Sequence, residues 1–208
     1  MTKLYITRHG QTEWNLEGRM QGQMDSALTA LGKQQAKWLG ERLNDVELDI
    51  IISSSSGRAF RTAEVIRGDR DIEIIPNDNL REMHFGNWQG QLHTEIEESW
   101  PEEYKNLWSF PHLYSPIGGE TVSQVLNRAG NEIEKIITKY EGKNVLIVAH
   151  AVVLKAIFTY LEDKELKDFW KGAFMHSTCL NIVEVKNDSR NIVLQGDISH
   201  YPVEEQAT

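Results

Sequence analysis

The chain has 208 residues, of which 40 % are hydrophobic and 25 % are charged, so it is long enough for one domain with a full core. The formal net charge of −9, without any run of lysine and arginine, argues against a general affinity for nucleic acid or for an anionic membrane surface. Cys179 is the only cysteine, and neither a signal-peptide pattern nor an apolar run of membrane-span length is present, so we expect a disulfide-free cytoplasmic protein.

The first part of the chain predicts strands that alternate with helices. Three apolar runs have the pattern of short strands: residues 4–6, 48–52 and 72–75. Two stretches between them have the pattern of a helix: residues 29–44 and 58–67. Thr29 is the expected N-cap of the first helix, Gly68 ends the second helix, and Pro76 stops the third strand.

The stretch from about residue 87 to residue 117 departs from this alternation. It is rich in Trp, Glu and Pro, and it predicts short helices near residues 93–99 and 102–108. We interpret it as a helical excursion from the sheet, a lid or a pocket wall, within a single domain that spans residues 1–208.

The remainder of the chain returns to the alternating pattern. Thr121 is predicted to cap a long amphipathic helix that Gly142 ends. A buried strand over residues 145–149 follows, then His150 and a helix over residues 152–161. Two further strands, over residues 180–185 and 192–194, are predicted to form a hairpin. Its turn is predicted at residues 187–189. The chain therefore predicts an α/β fold, a three-layer sandwich with a mostly parallel central sheet covered by helices on both faces.

Polar residues follow three of the predicted strands at their carboxyl ends. Arg8 and His9 end the first strand, residues 53–58 follow the second, and His150 follows the strand at 145–149. Ligands of open α/β sheets bind beyond the carboxyl ends of the strands, so we expect these side chains to converge. Two arginines and two histidines without a matching acidic partner predict an anion site.

A phosphate group fits this set of side chains. Guanidinium groups match phosphate oxygens with paired hydrogen bonds, so Arg8 and Arg58 are the expected ligands of the oxygens. Asn15 is placed to add an amide hydrogen bond, and backbone N–H groups at a helix start would contribute further.

The two histidines suggest different roles at such a site. Imidazole is a competent nucleophile near neutral pH, and His9 is our candidate to attack the phosphorus. One of its ring nitrogens must be held for the other to attack, and a backbone carbonyl near Gly10 would hold it. His150 is better suited as a charged donor to the phosphate oxygens.

The leaving alcohol of a phosphate ester needs a proton. A carboxylic acid with a raised pKa provides one, and Glu82 is our candidate because it follows the third predicted strand and begins the excursion. The same carboxylate would later accept a proton from the attacking water. Glu13, Glu95 and Glu97 stay open as alternative acids.

Further short motifs occur across most of the chain. In chain order they are Thr-Arg-His-Gly-Gln-Thr-Glu-Trp-Asn at residues 7–15, Gly-Arg-Met-Gln-Gly at 18–22, Asp25, Leu28-Thr29, Gly32, Ser53-Ser54, Arg58-Ala59, Thr62-Ala63, Leu-Arg-Glu at 80–82, Phe-Gly-Asn-Trp-Gln-Gly at 85–90, Gly-Gly-Glu-Thr at 118–121 and Val-Ala-His at 148–150. In these motifs and in their order the chain resembles the histidine phosphatase superfamily, the phosphoglycerate mutase-like enzymes.

The resemblance implies a phosphoglycerate mutase-like fold and a set of site residues. It implies that His9 becomes the phosphohistidine and that Glu82 is the proton donor. It further implies that Arg8, Arg58 and His150 bind the phosphoryl group, and that Asn15, Gln21 and Gly22 line the substrate site. Ala151-Val152 replaces the Gly-Gly that often follows the second histidine. The backbone N–H of Ala151 survives this change, so phosphate binding should survive, while the added side chains would narrow the pocket.

Within the family, the resemblance favours the phosphatase branch and its broad-specificity type. Residues 95–112 contain no arginine, whereas the mutases carry a paired-arginine segment that binds the substrate carboxylate, and Lys105 is the one cation there besides histidines. We therefore expect a metal-independent phosphomonoesterase, of the histidine acid phosphatase type, that acts on a small phosphorylated metabolite as a monomer or homodimer. A cofactor-dependent phosphoglycerate mutase, a ribazole phosphatase of the cobalamin pathway and a non-catalytic relative that binds a phosphorylated metabolite are the alternatives.

Other phosphatase chemistries lack their residues in this chain. A cysteine-based phosphatase needs an arginine six residues after its cysteine, and Val185 occupies that position after Cys179. No P-loop is present, and the histidines lack carboxylate partners at metal-binding spacing, so we expect neither a metal nor a cofactor. Four histidines carry no pattern and are expected at the surface, although the last could line the pocket rim: His84, His93, His112 and His176.

Overall fold

One six-stranded sheet organises the computed structural model, which describes residues 1–187 and 189–206. Its strands are β1 (Thr2–Arg8), β2 (Ile50–Ser54), β3 (Ile74–Asn77), β4 (Asn144–Ala149), β5 (Leu180–Lys186) and β6 (Ser189–Asp197). Their order across the sheet is β3-β2-β4-β1-β5-β6. The first four strands of this order are parallel, and β5 and β6 are antiparallel. The predicted mostly parallel sheet is confirmed.

Helices cover both faces of this sheet. They are α1 (Glu13–Glu17), α2 (Ala30–Arg42), α3 (Gly57–Arg67), α4 (His93–Ser99), α5 (Pro101–Ser109), α6 (Val122–Lys139) and α7 (Ala151–Leu161). Side chains of a strand alternate between the faces, so Ile6 and Ile147 pack with α6 and α7 while Tyr5 and Leu146 pack with α2 and α3. The predicted three-layer α/β sandwich is therefore confirmed.

The helix N-caps lie where the sequence predicts them. Thr29 Oγ1 accepts a hydrogen bond from the Gly32 N–H at 2.8 Å, and Thr121 accepts from the Gln124 N–H at 3.2 Å. The predicted end of α6 at Gly142 is wrong, because the helix ends at Lys139. A turn follows, so Gly142 serves the connection to β4 with a φ of +79°.

Other elements also differ from the prediction. Pro76 lies inside β3 and pairs with Ser53, because β3 is an edge strand and its outward side needs no N–H donor. Leu48 lies before β2, where its N–H bonds the Val46 carbonyl in a turn. The short helix α1 was not predicted, since five residues are too few for a periodic signal.

The excursion at 87–117 contains the two predicted helices, α4 and α5. Its aromatic residues divide between two environments, since Trp88 and Tyr104 join the main core whereas Trp108 and Phe110 are exposed. The predicted hairpin of β5 and β6 is confirmed, and residue 188 of its predicted turn at 187–189 lies outside the described residues. No helix in the described part of the chain has the length and apolar character that a bilayer span requires.

Candidate active site

Three adjacent parallel strands, β2, β4 and β1, bring the predicted polar residues to one edge of the sheet. The His9 and His150 rings lie 5.1 Å apart between centroids. Arg58, in the first turn of α3 after β2, donates from Nε to His9 Nε2 across 3.3 Å. These three side chains are all at least 97 % buried, with exposed fractions of 3 %, 0 % and 2 %. The expected convergence at the carboxyl ends is observed.

The geometry of His9 determines which ring nitrogen is free. Its Nδ1 lies 2.7 Å from the Gly10 carbonyl oxygen, which only accepts, so Nδ1 carries the proton and Nε2 carries the lone pair. The carbonyl near Gly10 is thus where it was predicted. Burial lowers the pKa of His9 well below its usual range, and the charges of Arg58 and Arg8 lower it further. His9 is therefore a neutral imidazole near neutral pH.

Arg58 is held by the loop that precedes it in sequence. Its Nη1 donates to the Met24 carbonyl at 2.7 Å and to the Asp25 carboxylate at 3.0 Å, and its Nη2 donates to the Gly22 carbonyl at 2.8 Å. The prediction that the cations lack an acidic partner is wrong, because Asp25 forms this ion pair. These contacts fix the guanidinium plane and leave Nε directed at His9.

Two buried nitrogens near His9 have no hydrogen-bond partner within the described residues. One is Arg8 Nε, whose guanidinium is anchored by Nη1 to the Met175 carbonyl at 3.0 Å. The other is His150 Nδ1, and the opposite nitrogen Nε2 lies 2.8 Å from Ser54 Oγ. Buried donors are nearly always satisfied, so unpartnered ones indicate a place for a ligand acceptor.

Ser54 is the hydrogen-bond partner of His150. Its Oγ accepts from the Ser56 N–H at 3.3 Å and lies 2.8 Å from His150 Nε2, where its hydroxyl group is placed to donate. With Ser54 as the donor, the ring N–H of His150 is on Nδ1. Burial lowers the pKa of His150 well below its usual range, with Arg58 and His9 adding to the effect. The role of His150 as a donor to the phosphate oxygens stays a prediction, and Nδ1 is its ring nitrogen without a partner among the described residues.

Glu82 is the buried carboxylate of the site, 7 % exposed. Its Oε1 accepts from the Met83 N–H at 2.9 Å, and its Oε2 accepts from the Val152 N–H at 3.2 Å, at the start of α7. Burial raises the pKa of Glu82, although these two N–H groups and Arg58 act against the rise. The alternative acids are all exposed: Glu13, Glu95 and Glu97.

Asn15, in α1, and Gln21, in the loop that follows, form hydrogen bonds with nearby residues. Asn15 Oδ1 accepts from the Thr12 N–H at 3.1 Å and closes the cap of α1, while the residue also borders a 350 Å³ cleft with Arg8. Gln21 donates to Thr12 Oγ1 at 2.8 Å and accepts from Ser26 Oγ at 3.2 Å. Their binding of substrate stays a prediction.

A cleft of about 470 Å³ opens beside Arg8. Its lining combines the predicted residues Arg8 and Ala151 with seven others, most of them aromatic or basic: His93, Trp108, Lys155, Trp170, Gly172, Phe174 and Met175. His93 and Trp108 come from the segment at 87–117, so this segment supplies part of the cleft wall. A role of this segment as a lid or a pocket wall stays a prediction.

The histidines expected at the surface differ in their exposure. His112 is exposed as predicted. His84 is half-buried and accepts from the Gly86 N–H at 3.2 Å, and His93 is half-buried in the wall of the 470 Å³ cleft. His176 is partly buried and lines the neighbouring 350 Å³ cleft with Arg8. Their chain neighbours do not reveal these long-range packing contacts.

Sequence reasoning gave no role to three residues that the structure places in or beside the site. Ser54 orients His150, Asp25 holds Arg58, and Lys155 lines the larger cleft. A signal existed for Lys155, since it is the single charged residue in the otherwise apolar or neutral α7. Within the described residues no cluster of three or more His, Cys, Asp or Glu side chains is placed to hold a metal ion.

Residues 4–198 match the family model of the histidine phosphatase superfamily (branch 1), and the chain belongs to that superfamily. Phosphoserine phosphatase 1 of Hydrogenobacter thermophilus is 32 % identical over 199 residues, with 96 % of this chain and 93 % of that protein covered. The solved structure of Bacillus stearothermophilus YhfR has a TM-score of 0.94 and 44 % identity, covering 96 % of this chain and 99 % of that one. A phosphoserine phosphatase mutant of Entamoeba histolytica, solved in complex with phosphoserine, has a TM-score of 0.84 and 27 % identity, covering 96 % and 99 %.

Proposed function

We propose that this protein is a metal-independent phosphomonoester hydrolase that forms a phosphohistidine on His9, with Glu82 as general acid and base. One observation carries the proposal. A neutral, oriented His9 presents its Nε2 lone pair beside two buried donors that lack a partner, Arg8 Nε and His150 Nδ1. A phosphoryl group supplies the acceptor oxygens that these donors need.

Binding of the ester places its phosphorus in front of His9 Nε2. Arg8 Nε and His150 Nδ1 donate to non-bridging oxygens, and Arg58 Nε lies close enough to Nε2 to donate to a third as phosphorus approaches. Because the arginine groups are anchored on backbone carbonyls, they need little reorganisation when charge develops.

The first chemical step transfers the phosphoryl group to His9. The Nε2 lone pair forms the P–N bond, and the bond between phosphorus and the ester oxygen breaks. The leaving oxygen takes the proton of the Glu82 carboxyl group, whose raised pKa favours this protonated form. The Gly10 carbonyl accepts from Nδ1–H and stabilises the positive charge that the ring acquires.

The second step releases inorganic phosphate. Water attacks the phosphorus and gives a proton to the Glu82 carboxylate, which restores the acid for the next cycle. The P–N bond breaks and its electron pair returns to Nε2. His9, Glu82 and the anion ligands thus end the cycle as they began it.

The substrate class follows from the larger cleft. Aromatic side chains from α5 and from the segment before β5 line the space for the leaving group: Trp108, Trp170 and Phe174. Such a wall favours organic leaving groups without requiring one shape, so we propose broad specificity for small phosphorylated metabolites. The phosphoserine bound to the Entamoeba histolytica relative belongs to this size class.

Hydrolysis is favoured over the alternatives by residue content. The segment 95–112 offers no arginine pair to hold a phosphoglycerate in two orientations, as a mutase requires. A non-catalytic binder has no use for a buried carboxyl group with a raised pKa that lies within electrostatic range of Arg58 and Arg8.

The test is phosphate release from an aryl phosphate monoester in EDTA, by the wild type and by His9→Ala. We expect turnover that resists EDTA and falls by at least about 10³-fold in the variant. His112→Ala, an exposed histidine, is the matched control and should retain full turnover. A wild type without turnover, or a fully active His9→Ala, would refute the proposal.

A further inference from the structure

Lys155 is a buried lysine in the wall of the 470 Å³ cleft. It is 7 % exposed, and its Nζ donates to the backbone carbonyls of Trp170 at 3.1 Å and Lys171 at 3.2 Å. An ammonium group has three N–H donors, so these two contacts leave one donor without a partner among the described residues. The two carbonyls hold Nζ at a fixed position.

The charge of Lys155 has no carboxylate partner in the described part of the chain. Glu162 acts on Lys155 electrostatically, but its carboxylate pairs with Lys164 at 2.7 Å. Burial and the charge of Lys164 lower the pKa of Lys155. The side chains that line the cleft include two basic groups, Arg8 and Lys155, and no carboxylate.

A structural role alone does not account for a lysine at this position. The rest of α7 facing the core is apolar, and burying an ammonium group costs free energy unless it is paired. Two neutral carbonyls offset only part of that cost. An anion entering the cleft would complete the coordination of Nζ.

The two cations lie in different parts of the space. Arg8 directly precedes His9 and serves the phosphoryl end, whereas Lys155 is one helical turn further along α7 from Ala151. A small ester that places its phosphate at His9 therefore presents its leaving group to Lys155. Trp108, Trp170, Phe174 and Met175 supply apolar lining for the same space.

We propose that Lys155 binds a carboxylate on the leaving group and so determines a preference for phosphate esters of hydroxy acids. This inference rests on the proposed phosphatase function. Lys155 acts in substrate specificity and takes no part in the chemical steps at His9.

The experiment compares two esters that differ in one group. 3-Phosphoglycerate carries a carboxylate where glycerol 3-phosphate carries a hydroxymethyl group. We expect the wild type to prefer 3-phosphoglycerate in kcat/KM by about tenfold or more, mainly through KM. In Lys155→Met the ratio of the two kcat/KM values should fall by about 10- to 100-fold, and Lys155→Arg should restore part of it.

Lys167→Met is the matched control, because it removes the same charge from an exposed lysine that pairs with Glu165. Its ratio should equal that of the wild type. Equal preference of the wild type for both esters, or an equal loss for both esters in Lys155→Met, would overturn the role of Lys155. Both results leave the phosphatase proposal intact, whereas absence of phosphate release from every ester would overturn that proposal first.

Discussion

At the residue scale, the proposed chemistry depends on two groups whose protonation is set by burial. His9 is kept neutral by desolvation and by its arginine neighbours, and Glu82 is kept protonated more readily than an exposed carboxyl group. Because the pKa of the nucleophile is lowered and that of the acid is raised, a neutral His9 and a protonated Glu82 can be present at one pH.

If Glu82 is the general acid, the loss of activity on its replacement should depend on the leaving group of the ester. In Glu82→Gln, hydrolysis of an alkyl phosphate should fall by about 10²–10⁴-fold, because an alkoxide cannot leave without a proton. Hydrolysis of 4-nitrophenyl phosphate should fall much less in its first step, since the phenolate leaves unprotonated. Burst kinetics of nitrophenolate release would measure that step separately.

Glu95→Gln is the control for this experiment, because Glu95 is exposed and was an alternative acid. It should behave as the wild type with both esters. An equal loss for alkyl and aryl esters in the burst phase of Glu82→Gln would contradict general-acid catalysis by Glu82.

At the element scale, two helices clamp the loop that presents His9. The Gly10 N–H donates to Thr62 Oγ1 of α3 at 3.0 Å. On the other side, the first turn of α2 touches the loop through its backbone, since a Cβ on Gly32 would lie 2.0 Å from the Gln11 carbonyl oxygen. The nucleophile is thus positioned by the packing of α2 and α3 rather than by β1 alone.

Because Gly32 lies so close to the Gln11 backbone, adding one methyl group at this position should lower the stability of the fold. Gly32→Ala should lower the free energy of unfolding by about 1–3 kcal/mol, because backbone atoms must move apart to admit the Cβ. Urea denaturation would measure the change. The neighbouring exposed Lys33→Ala should be close to neutral, and a Gly32→Ala variant as stable as the wild type would show that the contact relaxes freely.

At the scale of the whole molecule, buried neutral histidines make stability depend on pH. The pKa values of His9 and His150 lie well below the usual range, and burial lowers that of His200 to about 4. Below about pH 6.5 the unfolded chain therefore binds protons that the folded chain does not, and stability falls as the pH falls. The contribution of Glu82 to this pH dependence has the opposite sign. Because its pKa is raised in the folded state, the folded chain holds the proton more tightly and gains stability as the pH falls.

With His93 and His176, five histidines of the described residues have lowered pKa values, whereas Glu82 is the one carboxyl group with a raised pKa. We therefore expect a net loss of stability on acidification. The Tm should fall between pH 7 and pH 5.5, and each neutral histidine contributes up to about 1.4 kcal/mol per pH unit. His200→Gln should make this fall shallower, whereas His112→Gln, at an exposed position, should leave it unchanged. A slope that is the same in His200→Gln and in the wild type would contradict the contribution of His200.

The sequence by itself determined the fold class and the order of its elements. Apolar runs, caps such as Thr29 and the polar residues at strand ends depend on neighbours a few residues away, so a linear pattern records them. The same patterns predicted that Arg8, His9, Arg58 and His150 would converge, because parallel strands bring their carboxyl ends to one edge.

Tertiary structure alone decided the partners of these residues. Ser54 and His150 are 96 positions apart, and Asp25 and Arg58 are 33 apart, so their pairing depends on which strands and loops become neighbours in space. The cleft around Lys155 is likewise assembled from α5, α7 and the segment before β5. Burial, which sets the protonation of the site, is a property of that assembly and has no local signature in the chain.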